Sequence, residues 1–343
     1  MIRILPRVLA TGLLLLAFLG VSPAALAQQS PAPPSGDRVT FGVRPATAKA
    51  PDQRNAFTYS ATPGARITDY LAVSNVGASP VELRIYASDA FNTPEGGFDL
   101  LAAKRKPLEL GLWAVPGKDS VSVPARSTAI VPFTVTIPAN ATPGDHAGGI
   151  VASLATEQTQ ANGQKLAVEQ RVGARIYARV SGELHPALSI TDLSVDYHGS
   201  LLGRGEATMS YVVRNTGNVR LSGKQWAKVS TPWGSTVDAP ELAAIPELLP
   251  GSSMKMSTKV GGLLPAGWLT GTVHVDPLAV PGQADPSAPA AEESATVAAI
   301  PWLYLAVFVV LVLAIVFWIL RRRRRRRGTS AEPEEVTDHA DAE

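Results

Sequence analysis

Apolar and polar residues alternate with period two through most of the interior of this chain. The clearest run is Ala129–Ile137 (AIVPFTVTI). Ala129, Val131, Phe133, Val135 and Ile137 share one parity there, and Thr134 and Thr136 take the other. That periodicity predicts a strand with one face in a core. Met254–Val260 repeats it, with Met254, Met256 and Val260 inward and Lys255, Ser257 and Lys259 outward; Met209, Tyr211 and Val213 do the same one strand earlier. Asn162-Gly163 lies between two such runs, Ile150–Ala155 and Leu166–Val180. It predicts a type I′ hairpin turn, because both of its positions need positive φ. Pro132 inside the strongest run predicts an edge or a bulge.

The pattern also repeats at larger scale. Asp69–Ala78 (DYLAVSNVGA) resembles Met209–Asn218 (MSYVVRNTGN), each an alternating strand ended by Asn-x-Gly. Pro124-Ala125-Arg126-Ser127 then precedes a strand, followed by Pro143-Gly144 and another. Pro250-Gly251-Ser252 and Pro265-Ala266-Gly267 occupy the same places in the second half. Short strands with regularly spaced turn signals predict an all-β architecture of two tandem immunoglobulin-like β-sandwiches, residues 39–183 and 184–280.

The ends depart from this pattern. Met1–Ala27 has Arg3 and Arg7, then an apolar run, then Ala25-Leu26-Ala27, which is the plan of a secretory signal peptide. Residues 28–38 read as a linker. Residues 281–299 read as a stalk, on the Pro/Ala/acidic composition of Pro281–Thr296. Ile300–Leu320 carries no charge over 21 residues, which at about 1.5 Å each is one bilayer core. Arg321, Arg322, Arg323, Arg324, Arg325, Arg326 and Arg327 follow at once and read as a stop-transfer and anionic-lipid contact. The expected topology is single-pass type I, with the sandwiches outside and residues 321–343 in the cytoplasm.

Composition changes the picture once it is divided. The 343 residues carry a net charge of +2 and no cysteine. The leader holds two Arg and no acid, and residues 321–343 hold seven Arg and six acids. The exported part is therefore left with 22 basic and 23 acidic residues, a net of −1. A near-neutral exterior gives no footprint for nucleic acid. Without cysteine there are no disulfides, thiolate metal sites or Cys nucleophiles.

Enzymatic motifs are absent, apart from Ser252-Ser253-Met254-Lys255, an S-x-x-K whose setting is a turn into a strand rather than a helix start. The five histidines (His146, His185, His198, His274, His339) show no metal-ligand spacing and read as surface or loop imidazoles. A non-enzymatic protein without metal or cofactor is expected. Two stretches are the candidate ligand sites. Asp89–Leu101 (DAFNTPEGGFDLL) mixes acidic, amide and aromatic groups, among them Asp89, Asn92 and Phe98, that suit stacking and hydrogen bonding to a sugar. It equally suits an Asx-type turn that tucks Phe98 and Leu100 into a core. Pro143–Ile150 (PGDHAGGI) adds Asp145 and His146, with glycines that permit close approach. Trp113 joins the candidates, although Trp113 and Trp268 fit core or inter-sheet positions better than ligand platforms.

These stretches carry a resemblance. The ordered series Asn75-x-Gly77, Ser88-Asp89-Ala90, Gly97-Phe98-Asp99-Leu100-Leu101, Trp113, Pro132-Phe133-x-Val135, Pro143-Gly144-Asp145-His146-x-Gly148-Gly149-Ile150 and Arg171–Tyr177 resembles the N-terminal domain of WxL-interacting proteins over residues 40–183. The second half resembles that family's second domain in plan. The resemblance implies a Gram-positive surface protein whose first domain binds peptidoglycan. Its second domain would meet host or matrix ligands, and the implied partners are peptidoglycan or surface proteins, among them a WxL-type protein. The Ala-, Pro- and Arg-rich usage points to an actinobacterial member. The alternative reading is an envelope assembly factor that works by strand addition.

Overall fold

A computed structural model describes residues 40–327, apart from 160–164, 200–202 and 284. The leader, the linker, the tail beyond Arg327 and the Asn162-Gly163 turn lie outside the described residues.

The first sandwich opens with β1 (Phe41–Ala46), β2 (Phe57–Ala61), β3 (Arg66–Asn75), β4 (Val81–Asn92) and β5 (Phe98–Leu100). A single helical turn, α1 (Leu110–Trp113), leads into β6 (Ala114–Pro116), β7 (Ser120–Val123) and β8 (Ser127–Thr136). The long pair β9 (Gly144–Thr159) and β10 (Lys165–Val180) closes it. One sheet has the order β1-β3-β8-β6. The other runs β2-β10-β9-β4-β5, with β7 also on β4. The alternation read in Ala129–Ile137 is the observed one: Val131, Phe133, Val135 and Ile137 are buried, and Phe133 meets the Phe57 ring edge-on at 4.8 Å.

Pro132 is placed differently from expectation, because β8 is an inner strand between β3 and β6. Its carbonyl accepts from Gly117 N–H just beyond the end of β6. In an antiparallel ladder a residue's N–H and C=O point the same way. The N–H that proline lacks therefore faces the side where β6 has already stopped, and the β3 ladder is undisturbed.

The second sandwich comprises β11 (Leu188–His198), β12 (Gly205–Asn215), β13 (Leu221–Ser230), β14 (Thr236–Asp238), β15 (Ile245–Leu248), β16 (Ser253–Leu263), β17 (Gly267–Ala279) and β18 (Ala291–Ala299). Its sheets are β11-β12-β16 and β14-β13-β17-β18, with β15 on β13. Met209, Tyr211, Val213, Met254 and Val260 all face the core, as their parity predicts. β18 corrects the stalk. Nine of the residues assigned to it pair with β17, from Gly267↔Ala299 to Val275↔Ala291. Ala291, Ala295, Val297 and Ala299 turn inward onto the core.

The loose internal repeat has a physical basis. Asn75 and Asn215 are both buried, at 2% and 0% exposure. Each accepts at Oδ1 from the N–H two residues on, that of Gly77 or Gly217. Each donates from Nδ2 to the carbonyl four residues on, and again to the segment entering the next long strand, at Val123 or Leu248. Asparagine supplies donor and acceptor together, so the tip of one strand is stapled to the last residue of another, β7 or β15, in both sandwiches. Three residues past each acceptor, Arg126 and Gly251 both take positive φ.

After Ala299, two residues lead to α2 (Trp302–Arg327). Within Trp302–Arg324 an 18-residue stretch has a mean hydropathy of 3.1 and none of it is buried, a helix long and apolar enough to cross a membrane. The Arg321–Arg327 run continues it, and the Arg322 guanidinium lies over the Trp318 ring at 5.4 Å.

Candidate functional site

The candidate residues converge where the two sandwiches meet, and they divide there into two groups. The first is organised by Asp89, near the end of β4. Its carboxylate accepts the backbone N–H groups of Leu108, Glu109 and Gly111, the last at 2.7 Å. These are amides at the start of α1 that a four-residue helix leaves without partners. Gly111 lets the turn rest directly on β4, since a Cβ there would lie 2.6 Å from the Ser88 carbonyl carbon. Leu110, fully buried, fixes the turn from below.

That turn presents Glu109 and Trp113 to His146 on β9. His146 Nδ1 sits 3.1 Å from Glu109 Oε2, and Nε2 is 2.9 Å from the Thr142 carbonyl. The Trp113 ring is 4.5 Å away. His146 is 6% exposed, so it is not the loop imidazole its isolated position in the sequence suggests. Burial by itself depresses its pKa. The hydrogen bonds to Glu109 and Thr142, with the Glu109 and Asp145 charges, outweigh burial and leave it raised. Glu109 is lowered, chiefly by its hydrogen bond to His146 against a burial penalty. With both ring nitrogens engaged by acceptors, the charged imidazolium satisfies both contacts, and no nitrogen is left free to act as a base.

A pH dependence follows. A raised histidine stabilises the fold fully below its unfolded pKa, and that contribution fades as pH rises through the folded value. A lowered glutamate contributes above its unfolded pKa and fades as pH falls through the folded one. The pair is therefore worth most between about pH 4.5 and 6.5. The melting temperature of the parent should exceed that of Glu109→Gln by more at about pH 6 than at about pH 8.5. A gap that does not change with pH would mean His146 is neutral.

The second group is the joint itself. Asp145, 6% exposed, accepts both Nε and Nη2 of Arg179 at 2.7 Å and the Arg220 backbone N–H at 2.8 Å. Arg220, 3% exposed, lies 3.7 Å above the Tyr177 ring and donates to Glu247 Oε1 at 2.7 Å. The Tyr177 hydroxyl donates to Glu247 Oε2. Arg179 also pairs with Asp285, whose side chain is 1% exposed. Asn92 bonds the Glu247 carbonyl and the Leu249 N–H, as an added strand would. Phe98 packs edge-on against Tyr177 at 6.1 Å beneath the Arg175 guanidinium. Asp145 N–H donates to the Asn218 carbonyl. Gly144 makes that approach possible: its φ is +118°, and a Cβ would fall 2.2 Å from that same oxygen.

Asn92 and Asp145 are thus occupied in joining the sandwiches, Phe98 packs on Tyr177 within the first, and Asp89 is occupied in capping α1. His146 and Asp145 border a cleft of about 180 Å³, lined also by Glu109, Thr142, Asn218 and Ser252. Trp113 is half-buried against the first core. Trp268 reverses its expected place and is 56% exposed. His274 is also partnered, by Asp276, Glu292 and a stacked Trp226. Arg179, Arg220, Glu247 and Glu109 were not singled out in the sequence. The available signal was weak: Tyr177 and Arg179 alternate with Ile176, Ala178 and Val180, which places bulky groups on a strand's second face.

Beside the cleft, the segment through α1 and β6 exposes Leu108 (77%), Leu112 (51%) and Val115 (59%). Lys104, Arg105 and Lys106 are exposed on the approach to it.

No family model matches the chain, and no curated protein matches it. Among solved structures it is similar to a chain from a chaperone–tip adhesin complex of CFA/I fimbriae biogenesis (10% identity, covering 76% of this chain and 99% of that one, TM-score 0.36). It is also similar to the class 5 fimbriae chaperone CfaA (10%, 76% and 100%, 0.35) and the Pseudomonas aeruginosa CupB2 chaperone (10%, 72% and 99%, 0.28). At these identities and scores the likenesses carry no functional argument. The fold and site define a protein of two immunoglobulin-like sandwiches fused at a polar joint, followed by one apolar helix.

Proposed function

We propose that this is a non-enzymatic, single-pass cell-surface protein whose first sandwich binds peptidoglycan or a surface protein, with its sandwiches outside and its arginine run in the cytoplasm. The observation that carries the reading is the Leu108–Val115 segment. Three exposed apolar side chains are held on a fixed turn by Asp89, flanked by three cations and by the free edge of the Glu109 cleft. Exposed apolar groups clustered with cations are what a partner-binding surface needs, and isolated surface leucines are not. The resemblance to WxL-interacting proteins supports the same end of the molecule, because its motifs supply Asp89, Trp113 and His146.

Strand addition is the second reading. It needs a long, flat, apolar edge. Among the described edges, β1 carries Arg44 and Pro45, β6 has three residues ending in Pro116, and β16 turns Lys255 and Lys259 outward. The other long edges, β11 and β18, expose Asp192, Asp196, Glu292 and Glu293, and edges guarded in this way favour the first reading. In the test, the full chain in lipid discs is incubated with purified peptidoglycan. In parallel, a photocrosslinker at Val115, which the variant leaves in place, is activated on cells. Retention or a crosslinked surface protein is expected, and either should fall at least tenfold in Leu108→Ser/Leu112→Ser. Retention no greater than that of an unrelated sandwich protein, together with no crosslink, overturns the proposal.

A further inference from the structure

The end of the second sandwich that leads into α2 is unusually apolar. β18 ends at Ala299 and α2 begins at Trp302. From Ala299 to Trp302 the chain reaches about 10 Å at most. If α2 crosses a bilayer, its first turn lies at the interface, and the headgroup layer is itself about 5–8 Å deep on each side. This end of the sandwich therefore cannot avoid the lipid surface.

Two loops at that end carry exposed large apolar side chains. Trp233 (68%) sits on the β13–β14 hairpin tip, and Leu264 (54%) lies in the β16–β17 connection. Trp268 (56%), at the start of β17, pairs with Ala298 close to the helix. The ladder Ser230↔Thr270 brings the hairpin tip beside Trp268. Tyr197, Pro265 and Ala298 of the sandwich line a cavity of about 220 Å³ together with Trp302 and Tyr304 of the helix, so the helix start lies against this tip. Segments 231–235, 264–268 and 298–304 contain no charged residue. Arg204 is exposed on the adjoining turn, where its Nη1 donates to the Gly262 carbonyl. The carboxylate nearest to this end, Glu206, is paired with Lys259 Nζ at 3.1 Å, and one guanidinium is available to phosphate. Indole rings favour this interfacial layer, with the ring against acyl chains and the N–H toward water.

We infer that Trp233, Leu264 and Trp268 form a second membrane contact, a docking face that seats the sandwich on the phospholipid bilayer its own helix crosses. The inference rests on the reading of α2 as the anchor. It converts a tethered ectodomain into one held at a fixed height, since the Asp145 joint fastens the first sandwich to the second.

The absence of native cysteine permits a direct test. The full chain carrying Ser235→Cys with a nitroxide label is placed in discs of mixed phosphatidylcholine and phosphatidylglycerol. Its collisions with dissolved oxygen are compared with those with an aqueous nickel chelate. Oxygen should dominate at 235. The chelate should dominate at Lys224→Cys, six residues back along β13 and about 20 Å from the tip. Adding Trp233→Ser, Leu264→Ser and Trp268→Ser should bring residue 235 to the level of 224 with circular dichroism unchanged. A parent already as water-accessible at 235 as at 224 overturns docking. A label at Ala314→Cys in mid-helix separates the two readings: lipid exposure at 314 with water at 235 sinks docking alone, and water at 314 sinks the anchor along with it.

Discussion

Asp145→Ala is expected to cost about 3–5 kcal/mol and to split the melting of the two sandwiches into separate transitions. The carboxylate is buried between Arg179 of the first sandwich and the Arg220 backbone of the second. Its removal leaves two buried cations with less compensation. Arg179 keeps Asp285 and Arg220 keeps Glu247, but the one carboxylate that bridges both arginines is gone. Breaking one member of a buried ionic group is far more costly than the group's net worth, because the remaining charge stays desolvated. Scanning calorimetry would show one cooperative transition in the parent and two in the variant. Asp196→Ala, an exposed control on β11, should change the midpoint by no more than a surface substitution does, about 0.5 kcal/mol. A single transition at an unchanged midpoint in Asp145→Ala would place the coupling elsewhere, in the Asn92–Leu249 and Asn218 contacts.

The strands were legible in the sequence because burial of one face imposes period two, and Phe133, Met209 and Val260 report that directly. The tandem repeat was legible because the same buried asparagine is needed at the same strand tip in each sandwich. β18 was not. Its inward residues are Ala291, Ala295, Val297 and Ala299, too small to stand out from a Pro/Ala segment. They are held by the β17 ladder more than by side-chain burial.

The candidate residues were found, but their use was not. An aspartate in a loop carries the same local signature whether it meets a sugar, a helix start or an arginine 34 positions away, as Asp145 meets Arg179. Trp113 and Trp268 look alike in sequence. They differ because one packs beside His146 and the other stands exposed opposite Ala298. Long-range pairing decides these cases, and period-two alternation contains no information about it.

Asp89→Ala is expected to free the Leu108–Val115 segment and with it the proposed binding surface. Three backbone N–H groups converge on the carboxylate, and hydrogen bonds to a charged group contribute about 1.5–3 kcal/mol each. They share one acceptor and are partly solvated, so the net loss is placed near 3 kcal/mol, about a hundredfold in local opening. Hydrogen exchange at Leu108, Glu109 and Gly111 should accelerate by that factor, while β8 and β9 amides keep their rates. Glu109 depends on the same turn for its position. The His146 titration, followed by its ring proton resonances, should therefore fall toward the ordinary histidine value in Asp89→Ala. Retention on the partner should fall with it. Asp89→Asn keeps one oxygen in place and should be intermediate in all three measurements. If the three amides stay protected, the buried Leu110 side chain alone holds the turn. If they open and partner retention is unaffected, the exposed leucines are not the binding surface.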